Sequence, residues 1–298
     1  MKAIVSNIGF SFFWQVILKM QDPNNPEGWH QAFPDIDESL KKLQESGVSS
    51  IELKATQRLN HPLFLKAVEK LLNLGFDVTF HSAGRIQYPT DYYWQIQDMI
   101  EISKMIYHDF HFKPLWIVHP LFGVGVSRNR LFQDTVVYLK ELLEKTKDVP
   151  MTLALENLRN RPDNERVHAG DSYHEILRLL NEMDSCCPGV CWDFGHACAM
   201  VELGVEQELP PDEFVKRVVH CHVHDCRLQV THLPLGMGNV PLRDFIRLLV
   251  RNGFQGKFNM EIVPYKIKHP AEFPDLLFKS TQLLQSVVLE ETEQFVTH

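Results

Sequence analysis

The chain has 298 residues, 44% of them hydrophobic, and a formal net charge of −8 from 30 basic and 38 acidic side chains, which supplies one large core and excludes general affinity for phosphate backbones. Its six cysteines do not suggest a disulfide scaffold: Cys191 and Cys221 lie in strand-like runs and the adjacent Cys186 and Cys187 read as thiols near a turn, so a reducing cytoplasm is expected. SFFWQVILKM (11–20) has the composition of a secretory core, but it follows a strand and lacks a small-residue cleavage site, and no membrane span is expected.

Taken in chain order, apolar and β-branched runs occur at 3–10 (AIVSNIGF), 48–55 (VSSIELKA), 76–82 (FDVTFHS) and 115–120 (LWIVHP). Four more follow at 151–157 (MTLALEN), 189–195 (GVCWDFG), 218–225 (VVHCHVHD) and 257–263 (KFNMEIV). Helical patterns separate or follow them at 35–47, 61–75, 90–107, 129–146, 172–183, 210–217, 241–253 and 271–291. Gly47, Gly75 and Gly253 stand where left-handed C-caps would end three of these helices. Eight strand–helix units predict a single α/β domain over 1–298, a (β/α)8 TIM barrel, with a flexible tail over about 290–298.

The ends of the strands carry the chemistry. Glu156, Asp193, His222 and Glu261 each close an apolar run, where a polar group is costly unless compensated. Three carboxylates and one imidazole are expected to share a divalent cation, with Mn²⁺ or Mg²⁺ suiting that set. Barrels of this kind place their site at the C-terminal mouth of the strands, and His81, His119 and His196 also fall there. His81 and His119 read either as hydrogen-bonding groups for a substrate or, with Glu156, as ligands that would draw Zn²⁺.

A cation so held can chelate neighbouring carbonyl and hydroxyl oxygens of a sugar and acidify the C–H between them. Glu156 and Glu261 are then the candidate acid/base pair, one removing a proton and the other returning it through an enediolate. Exchange across two faces would invert a centre, and exchange on one face would move the carbonyl.

The segments ALEN, CWDFGHA, HVHD, HLPLGMG and MEI, in that order, resemble the xylose isomerase-like barrels, a superfamily of sugar and sugar-phosphate isomerases and epimerases with an endonuclease IV branch. Resemblance to the ketose 3-epimerases implies one divalent ion held by Glu156, Asp193, His222 and Glu261, with His196 and a basic residue near Arg227 contacting sugar oxygens. Resemblance to the endonuclease branch implies up to three zinc ions. His81, His119 and Glu156 would hold one, the four-residue set a second, and His196 with His232 part of a third. Val230 departs from that pattern, because an aspartate is expected there and valine cannot ligate.

Three loops frame the expected pocket. Residues 9–35 bring Phe12, Phe13, Trp14 and Trp29, which read as a pocket wall or lid, or as rim packing or a subunit contact in a homo-oligomer. Residues 157–172 bring Arg159, Arg161, Arg166 and His168, either a phosphate or carboxylate site or a solvated loop. The third, LFGVGVSRN (121–129), follows His119 and its glycines permit close backbone approach to a ligand, while Gly236 and Gly238 in PLGMGNV (234–240) are expected to shape the loop after the seventh strand and aim His232 inward. The working expectation is a metal-dependent isomerase or epimerase of a small sugar or sugar phosphate, with no nucleic-acid or membrane partner. An endonuclease IV-like phosphoesterase is the alternative.

Overall fold

A computed structural model of the chain describes residues 7–20, 28–55, 59–82, 92–161, 165–183 and 188–296. Eight parallel strands form a closed barrel: β1 (Ile8–Phe13), β2 (Val48–Lys54), β3 (Asp77–His81), β4 (Leu115–Val118), β5 (Thr152–Glu156), β6 (Gly189–Asp193), β7 (Val218–Val223) and β8 (Lys257–Met260). Neighbours in sequence are neighbours in the barrel, and β8 closes it by pairing with β1 through Ile8–Phe258, Gly9–Asn259 and Phe10–Met260. Each strand is followed by one principal helix: α1 (Ile36–Glu45), α2 (His61–Asn73), α3 (Tyr93–Phe110), α4 (Arg128–Thr146), α5 (Tyr173–Asn181), α6 (Phe194–Glu202), α7 (Leu242–Arg251) and α8 (Phe273–Val296). This is the expected (β/α)8 barrel.

Local sequence sets the helix boundaries. Asp35, Asn60, Ser127 and Ser172 cap α1, α2, α4 and α5 by accepting backbone N–H groups. Gly47, Gly75 and Gly253 take positive φ angles of 93°, 85° and 72° just beyond helix ends, as their positions predicted.

Several expectations need correction. The first strand runs to Phe13 rather than ending at residue 10, and residues 1–6 lie outside the described residues. The sixth helix is Phe194–Glu202, whereas the 210–217 pattern yields only the turn Asp212–Val215. α6 is buried on nearly every side and shows no apolar–polar alternation, so its sequence hides it. Of the expected tail, residues 290–296 continue α8 to Val296, held by ion pairs of Glu290 and Glu291 with Arg243 and of Glu291 with Arg247, and residues 297–298 lie outside the described residues. Cys186 and Cys187 lie outside the described residues, and Cys191, Cys198, Cys221 and Cys226 are free thiols. Among the described residues no helix is long and apolar enough to cross a membrane.

The pleat divides each strand between two environments. Phe10 and Phe12, Ile51 and Leu53, Phe80, Trp116 and Val118, Leu153 and Leu155, Trp192, Cys221 and Val223, and Phe258 and Met260 all belong to the main core. That core lies between the barrel and its helices. The alternate positions face the barrel axis and, apart from Ile117, are small or polar: Ser11, Glu52, Thr79, Ala154, Cys191, His220 and Asn259 are buried there. Continued to the C-terminal mouth, that inward series ends on Lys54, His81, His119, Glu156, Asp193, His222 and Glu261.

Candidate active site

Asp193 performs two local tasks. It ends β6 and caps α6, its Oδ1 accepting the His196 N–H at 2.7 Å. Asn157, next after β5, locks the same corner by accepting the Asp193 N–H at 2.7 Å and donating to the Asp193 carbonyl at 3.0 Å. The cap turns His196 back over the mouth, where its Nδ1 stands 3.3 Å from Glu156 Oε1 and 3.2 Å from Asp193 Oδ2.

The four residues expected to share a cation do converge. His222 Nδ1 lies 3.1 Å from Glu261 Oε2, 3.3 Å from Glu156 Oε2 and 4.0 Å from Asp193 Oδ2. The four side chains range from fully buried to 5% exposed. His222 Nδ1 and Glu261 Oε2 are close but not aligned for a hydrogen bond, and each is buried without a hydrogen-bond partner. Buried polar atoms left this way are uncommon and costly. Donors bound to one ion at about 2.0–2.2 Å stand roughly 3 Å apart. His81, Glu156, His222 and Glu261, whose ligand atoms lie within 4.8 Å of one another, match a single divalent cation in donor type and spacing, while Asp193 groups instead with Glu156 and His196 and keeps its Oδ2 4.0 Å from His222 Nδ1.

The remaining histidines form a ring around this point. His81 Nε2 and His119 Nε2 both address Glu156 Oε2, at 3.4 Å and 2.8 Å. His232 Nε2 stands 3.8 Å from Glu261 Oε1. His232 sits in the hairpin formed by Asp225–Arg227 and Val230–Leu233, at a φ of 62° that few non-glycine residues adopt. Its ring stacks on His224 at 4.3 Å, and its backbone N–H donates to His224 Nδ1 at 2.9 Å. His224 Nδ1 also lies 3.2 Å from the Asp225 carbonyl, and its Nε2 faces Asp193 Oδ1 at 3.0 Å.

Asp225 organises the loop that follows. Its two oxygens accept the N–H groups of Cys226, Gly236, Gly238 and Val240 at 2.8–3.0 Å. Gly236 needs its φ of 86° there, and Gly238 passes too close to the Cys226 carbonyl to accept a side chain.

Burial and charge oppose each other throughout. Burial alone would raise the Glu156 carboxyl, but His222, His119 and His196 outweigh it and hold it well below the ordinary range. Glu261 is likewise held low against its burial by Lys54 and His222. Burial would lower the His222 imidazole, yet Glu52, Glu156 and Glu261 keep it well above its usual value. In His232, burial and the neighbouring His224 push the same way, well downward.

One expected contributor stands elsewhere: Arg227 is exposed at the outer end of its hairpin strand, and Val230, where the endonuclease pattern expects an aspartate, is 42% exposed on the partner strand. The basic group inside the cluster is Lys54 from β2, ion-paired with Glu261 Oε1. Sequence reasoning missed Lys54, Glu52, Asn157, His224 and Asp225. The signal for the first two was available in VSSIELKA, where Glu52 and Lys54 share the parity that faces the barrel axis.

The described parts of the flanking loops mostly pack against the barrel. Phe12, Trp14 and Trp29 are buried, Trp29 packing on Phe12, Phe33 and Phe273, so these aromatics cover the rim instead of lining an open wall. Arg166 and His168 lie in an antiparallel pair with Phe122–Val124 and pack on Phe122. Arg159 is buried and donates to the Gln229 carbonyl at 2.9 Å, while Arg161 is exposed.

Comparison with known proteins adds a decisive match: the model of the xylose isomerase-like TIM barrel family fits residues 40–279. The chain belongs to that family. A curated relative, the fructoselysine 3-epimerase of Escherichia coli O157:H7, is 27% identical over 138 residues. That match spans 44% of this chain and 46% of the relative, less than half the length of either. Among solved structures, a D-tagatose 3-epimerase-like protein superposes with a TM-score of 0.66 at 18% identity, over 97% of this chain and 99% of the other. The IOLI protein with a bound zinc atom gives 0.64 at 14% identity, over 96% and 99%. At these identities the likeness is one of fold.

Proposed function

We propose that this family member is a divalent-metal-dependent isomerase, an epimerase or an aldose–ketose isomerase, that moves a proton on the carbon beside the carbonyl of a small sugar or sugar phosphate. The observation that carries this reading is the meeting of Glu156, Asp193, His222 and Glu261, with His222 Nδ1 and Glu261 Oε2 buried and unpartnered. The relatives named as sugar epimerases and the neighbour that binds zinc support it.

Those four residues would hold the cation, Mn²⁺ or Zn²⁺ with Mg²⁺ as a third choice. Bound there, it would supply Lewis-acid stabilisation of developing negative charge worth several kcal/mol. Glu156 and Glu261 come from strands separated by β6 and β7, so they border the substrate position from different sides. One takes the proton and the other returns it, each transfer contributing roughly 10²- to 10⁴-fold. The two are not equivalent, because Lys54 occupies Glu261 Oε1 whereas Glu156 faces imidazoles. His81, His119, His196 and His232 surround the same space and would orient sugar hydroxyls. A cytoplasmic, small-molecule enzyme is part of this reading.

The test is solvent exchange in D₂O with Mn²⁺ over a panel of ketoses and ketose phosphates, beside cleavage of abasic-site duplex DNA at low salt. Deuterium is expected in the carbon next to the carbonyl of at least one sugar, with the DNA intact. Cleavage without exchange would instead make His81, His119 and Glu156 ligands of a phosphoesterase.

A further inference from the structure

Below the mouth, the barrel holds polar chemistry that the proposed reaction does not use. Glu52 is fully buried on β2, two residues before Lys54. Its Oε1 accepts from Ser11 Oγ at 3.0 Å, and Ser11 Oγ in turn accepts from Asn259 Nδ2 at 2.7 Å. Its Oε2 meets two imidazoles, His220 Nε2 at 3.1 Å and His222 Nε2 at 3.2 Å. A buried carboxylate is tolerated only when donors satisfy it, and these three side chains do so.

This arrangement decides how His222 is used. The two ring nitrogens are distinct, and the partner of one fixes the role of the other. A carboxylate that already receives Ser11 and His220 can only accept from His222, so Nε2 carries hydrogen. Nδ1 is the nitrogen left among Glu156, Asp193 and Glu261. Register supports the same geometry, because His222 lies between Asp193 on β6 and Asn259 on β8, and its ring cannot turn without breaking the contact to Glu52.

We propose that Glu52 is the positioning residue for His222, gripping Nε2–H from inside the barrel so that Nδ1 is presented to a divalent cation shared with Glu156, Asp193 and Glu261. This inference rests on the metal-dependent reading above. Glu52 would touch neither the cation nor the sugar. It acts by holding the ring in one orientation and by making Nδ1 a better donor, the part that outer carboxylates play for metal-bound histidines.

The experiment measures Mn²⁺ affinity calorimetrically for the full chain and for Glu52→Gln, Glu52→Asp and Ser11→Ala. Glu52→Gln is expected to weaken binding roughly 10- to 100-fold, the range found when such outer partners are lost. Glu52→Asp should recover part of that loss, and Ser11→Ala should stay within about threefold, since it leaves the His222 contact in place. Independently of any variant, long-range ¹H–¹⁵N spectra of the zinc-loaded wild-type protein should show His222 bound through Nδ1 and protonated on Nε2. Equal affinity in Glu52→Gln, or binding through Nε2, overturns the role of Glu52. If Glu52→Gln does not fold, the wild-type spectrum decides. Failure of the wild-type chain to bind Mn²⁺ or Zn²⁺ would instead remove the metal-dependent reading itself.

Discussion

Burial ordinarily strips a lysine of its proton, yet Lys54 keeps an ammonium that is held above its usual range by Glu261 and Glu52 in spite of desolvation. A fixed positive charge one carboxylate away competes with any cation for Glu261. At a separation of about 5–7 Å and an effective dielectric near 20, the repulsion of a divalent ion is on the order of 5–7 kcal/mol, so that about a quarter of it is already a tenfold change in affinity. Lys54→Met is therefore expected to tighten Mn²⁺ binding by about tenfold while lowering turnover, read by calorimetry beside solvent exchange. A tenfold weaker affinity would show that Lys54 serves mainly to hold Glu261 in place. Lys54 escaped the sequence reading because a lysine ending a strand usually extends its charge into water. The carboxylates and His222 were legible because nothing ordinary explains them at the ends of apolar runs. Asn157 and Asp225 were not, since both act on backbone N–H groups whose positions only the fold supplies.

The helices differ in how far their sequences announce them. α1, α2, α4 and α5 carry a capping residue or an amphipathic repeat and were readable, whereas α6 begins on a residue already claimed by a strand. α8 was cut short because its last turns look polar, although Glu291 is buried against two arginines of α7. Burial would raise the Glu291 carboxyl, but Arg247 and Arg243 outweigh it and hold it below the ordinary range. A carboxylate depressed in the folded state contributes stability that is present above its unfolded value of about 4.5 and is lost as pH falls through the folded one. Glu291→Gln is accordingly expected to cost about 1–3 kcal/mol at pH 7, visible as a Tm lowered by several degrees. The gap between variant and wild type should close progressively below about pH 4.5. A gap that stays constant down to pH 3 would assign the effect to packing and not to the ion pairs.

For the whole molecule, an internal cluster of carboxylates and imidazoles is a stability reserve that a bound ion would release. A ligand at 100 times its Kd adds about 2.7 kcal/mol to folding, so Mn²⁺ or Zn²⁺ is expected to raise Tm by about 4–5 °C over chelated protein. No shift with either ion would argue against the site. The fold itself was legible because eight strand–helix units leave few other topologies, even where single boundaries were misplaced. The division of each strand by parity has a further meaning for descent. Outward positions need only apolar volume and tolerate exchange among similar residues, so they can drift without loss of the barrel. Inward positions answer to chemistry and can be rewritten while the outer shell stays intact. Two interleaved records thus run along the same chain, one of architecture and one of reactivity. Such a division permits a barrel to superpose over 97% of its length on a neighbour with which it shares 18% of its residues.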